Sequence, residues 1–125
     1  MADGDLITIE TSNQEGFCVV SVKGRLGITT ENALRQRVNA LVEQKKVQLI
    51  LDFSGVTFMD SSGMSSILSA MRSVSEHQGR ICLVCETRHI LRVLRITAID
   101  KLMAIYPNLP EAIAAFSATP EVSEA

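Results

Sequence analysis

At 125 residues, 46% of them hydrophobic, the chain is long enough for one domain around one hydrophobic core. A net charge of −2 argues against a sequence-independent nucleic-acid binder, which needs a basic surface to meet the phosphates. No apolar run approaches the ~20 residues of a membrane span. Met1-Ala2-Asp3-Gly4-Asp5 lacks the basic and apolar blocks of a secretory signal, so a cytoplasmic protein without membrane insertion is expected.

In chain order, Leu6–Glu10 and Phe17–Lys23 read as two strands joined by the polar turn Ser12-Asn13-Gln14-Glu15-Gly16. Gly24-Arg25-Leu26-Gly27 breaks that pattern. Thr29 or Thr30 then caps a helix to about Lys45, with Leu34, Val38, Leu41 and Val42 on its apolar face. Val47–Phe53 is a nearly unbroken apolar strand, as expected of a central strand covered on both sides.

After a turn, a helix from Ser61/Ser62 to about Gln78 places Met64, Ile67, Leu68, Met71 and Val74 toward the core and stops at Gly79. Arg80–Cys85 is a further buried strand, followed by a short helix over Arg88–Ile96. That helix carries Arg88, Arg92 and Arg95 as one stripe, either a solvated face or a surface for an acidic partner. A short strand near Met103–Tyr106 and a helix over Pro110–Phe116 complete the domain, and the polar segment Ser117–Ala125 is expected to be disordered. The order β-β-α-β-α-β-α-β-α describes an α/β sheet with helical crossovers and mainly parallel pairing in its middle.

The cysteines are Cys18, Cys82 and Cys85. Cys82-Leu83-Val84-Cys85 has the spacing of a redox or zinc pair, but residues three apart on a strand point to opposite faces. No second Cys/His pair completes a metal site. Buried, reduced thiols acting as small hydrophobes are expected, with no metal bound.

The most informative segment is Leu49–Met64, where an apolar strand delivers Asp60-Ser61-Ser62-Gly63 to the start of an amphipathic helix. A helix N-terminus carries unsatisfied N–H groups and the positive end of the macrodipole, which suits an anion such as phosphate. Simple capping by Asp60 or a serine also accounts for the pattern. A serine nucleophile would need a nearby base. His77 lies roughly 20 Å from Ser62 along the same helix, and His89 belongs to another element. The glycine spacings of nucleotide-binding loops are absent. No enzyme and no cofactor are expected.

Phe58-Met59-Asp60-Ser61-Ser62-Gly63-Met64 resembles the signature of the STAS domain family, the fold of bacterial anti-anti-sigma factors (anti-sigma factor antagonists). Val22-Lys23-Gly24-Arg25-Leu26, Leu49–Val56 and Leu94–Leu102 are similar to further parts of that family, and the resemblance covers residues 5–117. It implies an α/β, STAS-like single domain, with a mixed, mostly parallel β-sheet and about four helices packed mainly on one face. Residues 118–125 would form a tail. Two positions depart from the family pattern. Gly27 stands where relatives often carry an acid, and Ala98 where they usually carry glycine at a helix exit.

The resemblance further implies a phosphoswitch. A partner serine kinase of histidine-kinase-like ATPase fold, itself the anti-sigma factor, would phosphorylate Ser62, with Ser61 as the neighbouring alternative. The unmodified chain would bind that partner and release the sigma factor, and a serine phosphatase would reset it. The expected binding surface comprises Asp60, Ser61, Ser62, Gly63, Met64, Ser65, Ser66 and Ser69, with Ala70 and Ser73 adding to its small-residue face, and Gly24, Arg25 and Gly27 on the preceding turn. The alternative is a constitutive STAS assembly module of a lipid-transport or signalling complex, without phosphorylation.

Overall fold

The computed structural model describes residues 7–118. Strands β1 (Ile7–Gln14), β2 (Phe17–Leu26), β3 (Gln48–Met59), β4 (Arg80–Val84) and β5 (Ile105–Tyr106) form one sheet in the order β1-β2-β3-β4-β5. The β1–β2 pair is antiparallel and every later pair is parallel. Helices α1 (Glu31–Glu43), α2 (Ser61–Glu76) and α3 (Arg88–Ile96) connect the parallel strands, and α4 (Leu109–Ala118) follows β5. This is the mixed, mainly parallel α/β sheet that the element order predicts.

Alternation along the strands builds two apolar layers. Val20, Val22, Leu49, Leu51, Phe53 and Leu83 face Leu34 and Val38 of α1, Ile67 and Val74 of α2, and Ile90 and Leu94 of α3. Phe17, Val19, Ile50, Cys82 and Val84 point the other way, where Ala112 and Phe116 of α4 cover them. Three helices therefore lie on one face and one on the other. Arg80 fastens α4. Its guanidinium stands 4.6 Å over the Phe116 ring and 5.9 Å from the Phe17 ring, while Nη1 donates to the Phe116 carbonyl at 3.3 Å. Cys82 lines the α4 side and Cys85 the other, as period-two geometry requires, and all three cysteines are free and buried.

Several boundaries differ from the sequence reading. The hairpin turn shrinks to Glu15-Gly16, with φ of 54° and 89°, so β1 continues to Gln14 through residues read as turn. Neither Gly24 nor Ser54-Gly55 ends a strand. β2 and β3 both run on to Leu26 and Met59 through register shifts between Ser21 and Lys23 and between Gly24 and Arg25. Gly55 is needed there because a Cβ would stand 2.6 Å from Lys23 Cγ.

At the end of α2 the left-handed residue is Gln78 (φ 59°) and not Gly79. Gly79 is small for a different reason, since a Cβ would overlap the Val47 carbonyl oxygen and stand 2.8 Å from Val74 Cγ1. Ser117 and Ala118 extend α4 instead of beginning a tail. Leu6 and residues 119–125, read as strand start and tail, lie outside the described residues.

Candidate functional site

The carboxyl ends of β2 and β3 meet at the serine corner. Arg25 pairs with Phe58 and Leu26 with Met59 across the sheet, and the Asp60 backbone N–H donates to the Leu26 carbonyl at 3.3 Å. Asp60 adopts extended backbone as the N-cap of α2. Its Oδ1 accepts hydrogen bonds from the N–H groups of Ser62 at 2.9 Å and Gly63 at 3.1 Å. The helix start is therefore no empty anion cradle: a carboxylate already occupies two of its donors.

Beside that cap stand the two hydroxyls. Ser61 is exposed and Ser62 half-buried, and neither side chain has a hydrogen-bond partner among the described residues. Both can be reached from solvent. Arg25 is exposed and lays its guanidinium 4.1 Å from the centroid of the Phe58 ring. Ile28 is 77% exposed on the turn between β2 and α1. A shallow cleft of about 160 Å³ runs among Arg25, Gly27, Ile28, Thr30, Phe58 and Asp60.

Thr30 is the N-cap residue of α1, but its hydroxyl does not cap the helix. It is buried, accepts from Gly27 N–H at 2.9 Å and donates to the Arg25 carbonyl at 2.5 Å, which fixes the turn against the corner. Sequence periodicity gave no sign of this bond, nor of the Arg25–Phe58 stack. A Thr at a helix start reads as an ordinary cap until the turn's own polar groups are counted.

The predicted binding surface separates into two sets. Asp60, Ser61, Ser62, Ser65, Ser69, Ser73, Arg25 and Gly24 retain exposure, and Met64 is half-buried against the core. Gly63, Ser66, Ala70 and Gly27 do not belong on that surface, because each is buried. The inward stripe of α2 includes its small residues. A Cβ on Gly63 would overlap the Leu26 carbonyl oxygen, and Ser66 Oγ donates to the Gly63 carbonyl at 2.6 Å. Small size here brings α2 onto the end of β2 and onto α1, so it serves packing and not a visiting protein.

Neither histidine is offered to the serines as a base. His89 Nε2 donates to the Thr57 carbonyl at 2.9 Å, and His77 Nδ1 donates to the Ser73 carbonyl at 2.9 Å. Because a carbonyl only accepts, each of those nitrogens carries its proton. Burial pushes the Cys82 thiol up to about 12 and raises Cys18 and Cys85 in the same direction, so none is a thiolate nucleophile at neutral pH. No group of three His, Cys, Asp or Glu side chains among the described residues is placed to hold a metal ion. No described helix is long and apolar enough to cross a membrane.

Comparison with known proteins agrees with this architecture. The STAS domain model matches residues 8–112. The anti-sigma-F factor antagonist RsfB of Mycobacterium tuberculosis is 25% identical over 113 residues, covering 90% of this chain and 92% of that protein. The anti-sigma F factor antagonist of Paenibacillus polymyxa is 24% identical over 103 residues, covering 82% of this chain and 88% of that one. The crystal structure of an anti-sigma factor antagonist from Mycobacterium paratuberculosis superposes with a TM-score of 0.82 at 29% identity, over 92% of this chain and 97% of that one. With its sheet order, its serine corner and a family match over most of its length, the chain belongs to the STAS domain family.

Proposed function

We propose that this chain is an anti-sigma factor antagonist working as a non-catalytic phosphoswitch. In its unphosphorylated form it binds an anti-sigma factor that is also a serine kinase of histidine-kinase-like ATPase fold, and so frees a sigma factor. Phosphorylation of Ser62, with Ser61 as the alternative acceptor, ends that binding, and a serine phosphatase restores it. ATP belongs to the kinase, and this chain needs no cofactor.

One observation supports the reading above the others: two accessible hydroxyls without intramolecular partners flank a carboxylate already engaged as a helix cap. Phosphate adds about −1.5 to −2 charge. Because Asp60 holds two of the donors, that charge adds to an existing negative charge and finds few free N–H groups nearby. A partner lying on this surface meets a concentrated negative spot. Loss of about 3 kcal/mol of binding lowers affinity more than 100-fold, so no refolding of the domain is required.

The test incubates the purified chain with ATP and each serine kinase of this ATPase fold from the same genome. Phosphate is then mapped by mass spectrometry in the wild type, Ser62→Ala and Ser61→Ala. Ser62→Ala should remove most of the label and leave kinase binding intact, whereas Ser62→Asp should weaken it at least tenfold. Label elsewhere, or equal affinity for Ser62→Asp, overturns the proposal. Tight binding without any label is the outcome of the constitutive assembly module.

A further inference from the structure

Where neighbouring parallel strands send their following segments to opposite faces, the loops diverge and open a crevice at the carboxyl edge of the sheet. Among the described residues this happens between β4 and β5. The chain leaves β4 into α3, on the face shared with α1 and α2, and leaves β5 into α4, on the other face. A cleft of about 300 Å³ lies there, at the small end of the range for small-molecule sites.

The walls of this cleft are chemically divided. Leu91, Ile105 and the Tyr106 ring are half-buried and give it an apolar floor. Glu86, Arg95 and Asp100 line it as well, and all three are exposed. None of these charges is paired with another. The ion pair found among the described residues is Arg35–Glu31, on α1. Arg95 is the member of the α3 arginine stripe that reaches this cleft; Arg88 and Arg92 do not line it.

We propose that the crevice binds a small zwitterion with an apolar body, of the class of an apolar α-amino acid. Its ammonium is held by the Glu86 and Asp100 carboxylates, its carboxylate by the Arg95 guanidinium, and its apolar part by Leu91, Ile105 and Tyr106. The charge count selects this class. Two carboxylates beside one guanidinium disfavour a phosphate dianion, free or on a nucleotide, and the apolar floor gives a bare ion nothing to hold. This inference uses other residues than the serine corner and stands whether or not that corner is phosphorylated.

The test titrates the isotopically labelled full chain with L-phenylalanine and L-leucine and follows backbone amide shifts by NMR. Two analogues each lack one charge: 3-phenylpropanoate and 2-phenylethylamine. At least one amino acid should give saturable shifts confined to residues 85–95 and 100–107, with a Kd of about 1 mM or tighter. Both analogues should bind at least about tenfold more weakly than L-phenylalanine, and so should either amino acid to Arg95→Gln. Arg95 is exposed, so Arg95→Gln should keep the wild-type spectrum outside the crevice, and Arg72→Gln, remote on α2, should bind as wild type. Absence of saturation with both amino acids, equal binding of an analogue, or unchanged affinity in Arg95→Gln overturns the proposal.

Discussion

The Cβ that Gly27 lacks would stand 2.8 Å from Oδ2 of Asp60, the carboxylate that caps α2. The absent side chain therefore gives that carboxylate its room, although the two residues lie on different turns. Gly27→Ala should push the Asp60 side chain aside and loosen its bonds to Ser62 and Gly63 N–H. The expected loss is about 1 kcal/mol, the usual worth of an N-cap, measured by denaturant unfolding. Gly27→Ala combined with Asp60→Ala should cost no more than Asp60→Ala alone, because the cap is then already gone.

Ala98 holds a left-handed conformation, φ 65° and ψ 18°, after the last turn of α3. A Cβ is strained there, and glycine relieves that strain at some cost in unfolded-chain entropy. Ala98→Gly should stabilise the domain by about 0.5 kcal/mol or more, seen as a higher denaturant midpoint at unchanged slope. A lower midpoint would mean that the left-handed turn is not formed in solution.

Gly63 presses α2 onto the end of β2, with a hypothetical Cβ overlapping the Leu26 carbonyl oxygen and standing 2.7 Å from Met59 Cγ. Backbone cannot yield as a side-chain tip does. Gly63→Ala should destabilise by about 1–3 kcal/mol, in the range of overpacked cores. It should also broaden amide signals from the serine corner, whereas Ser65→Ala on the exposed side should do neither.

Burial holds the Cys82 thiol at about 12 against an ordinary value of 9.0, and the unfolded chain has no such restraint. The unfolded state therefore loses this proton at lower pH than the folded state. The stabilisation is complete below pH 9.0 and falls as pH rises from there toward about 12. At pH 8 a thiol reagent should react slowly with native protein and rapidly once denaturant unfolds it. Fast native labelling of all three cysteines would contradict their burial.

Periodicity carried the sequence reading a long way. The nearly unbroken apolar run at Val47–Phe53 pointed to a strand covered on two sides, and α4 proved to be the second cover. The helix read over Arg88–Ile96 is α3 with those bounds, and the structure shows Ile90 and Leu94 as its buried side. The apolar set predicted for α2 does face the core, but it is incomplete. Ile67 and Val74 are buried, but Gly63, Ser66 and Ala70 share the interior, while Met64, Leu68 and Met71 sit half-buried at its margin. A hydrophobicity pattern ranks residues by transfer energy. It does not register that the closest approach of two elements requires the smallest side chains.

From sequence alone came the identity of the corner, Asp60-Ser61-Ser62, because an N-cap followed by a periodic apolar run is a local property of the chain. What Gly27 does for Asp60, where Thr30 sends its hydroxyl, and which charges rim the cleft between β4 and β5 were settled by tertiary structure. Those relations join residues far apart along the chain, through sheet register and the face each helix covers, and no local propensity encodes them.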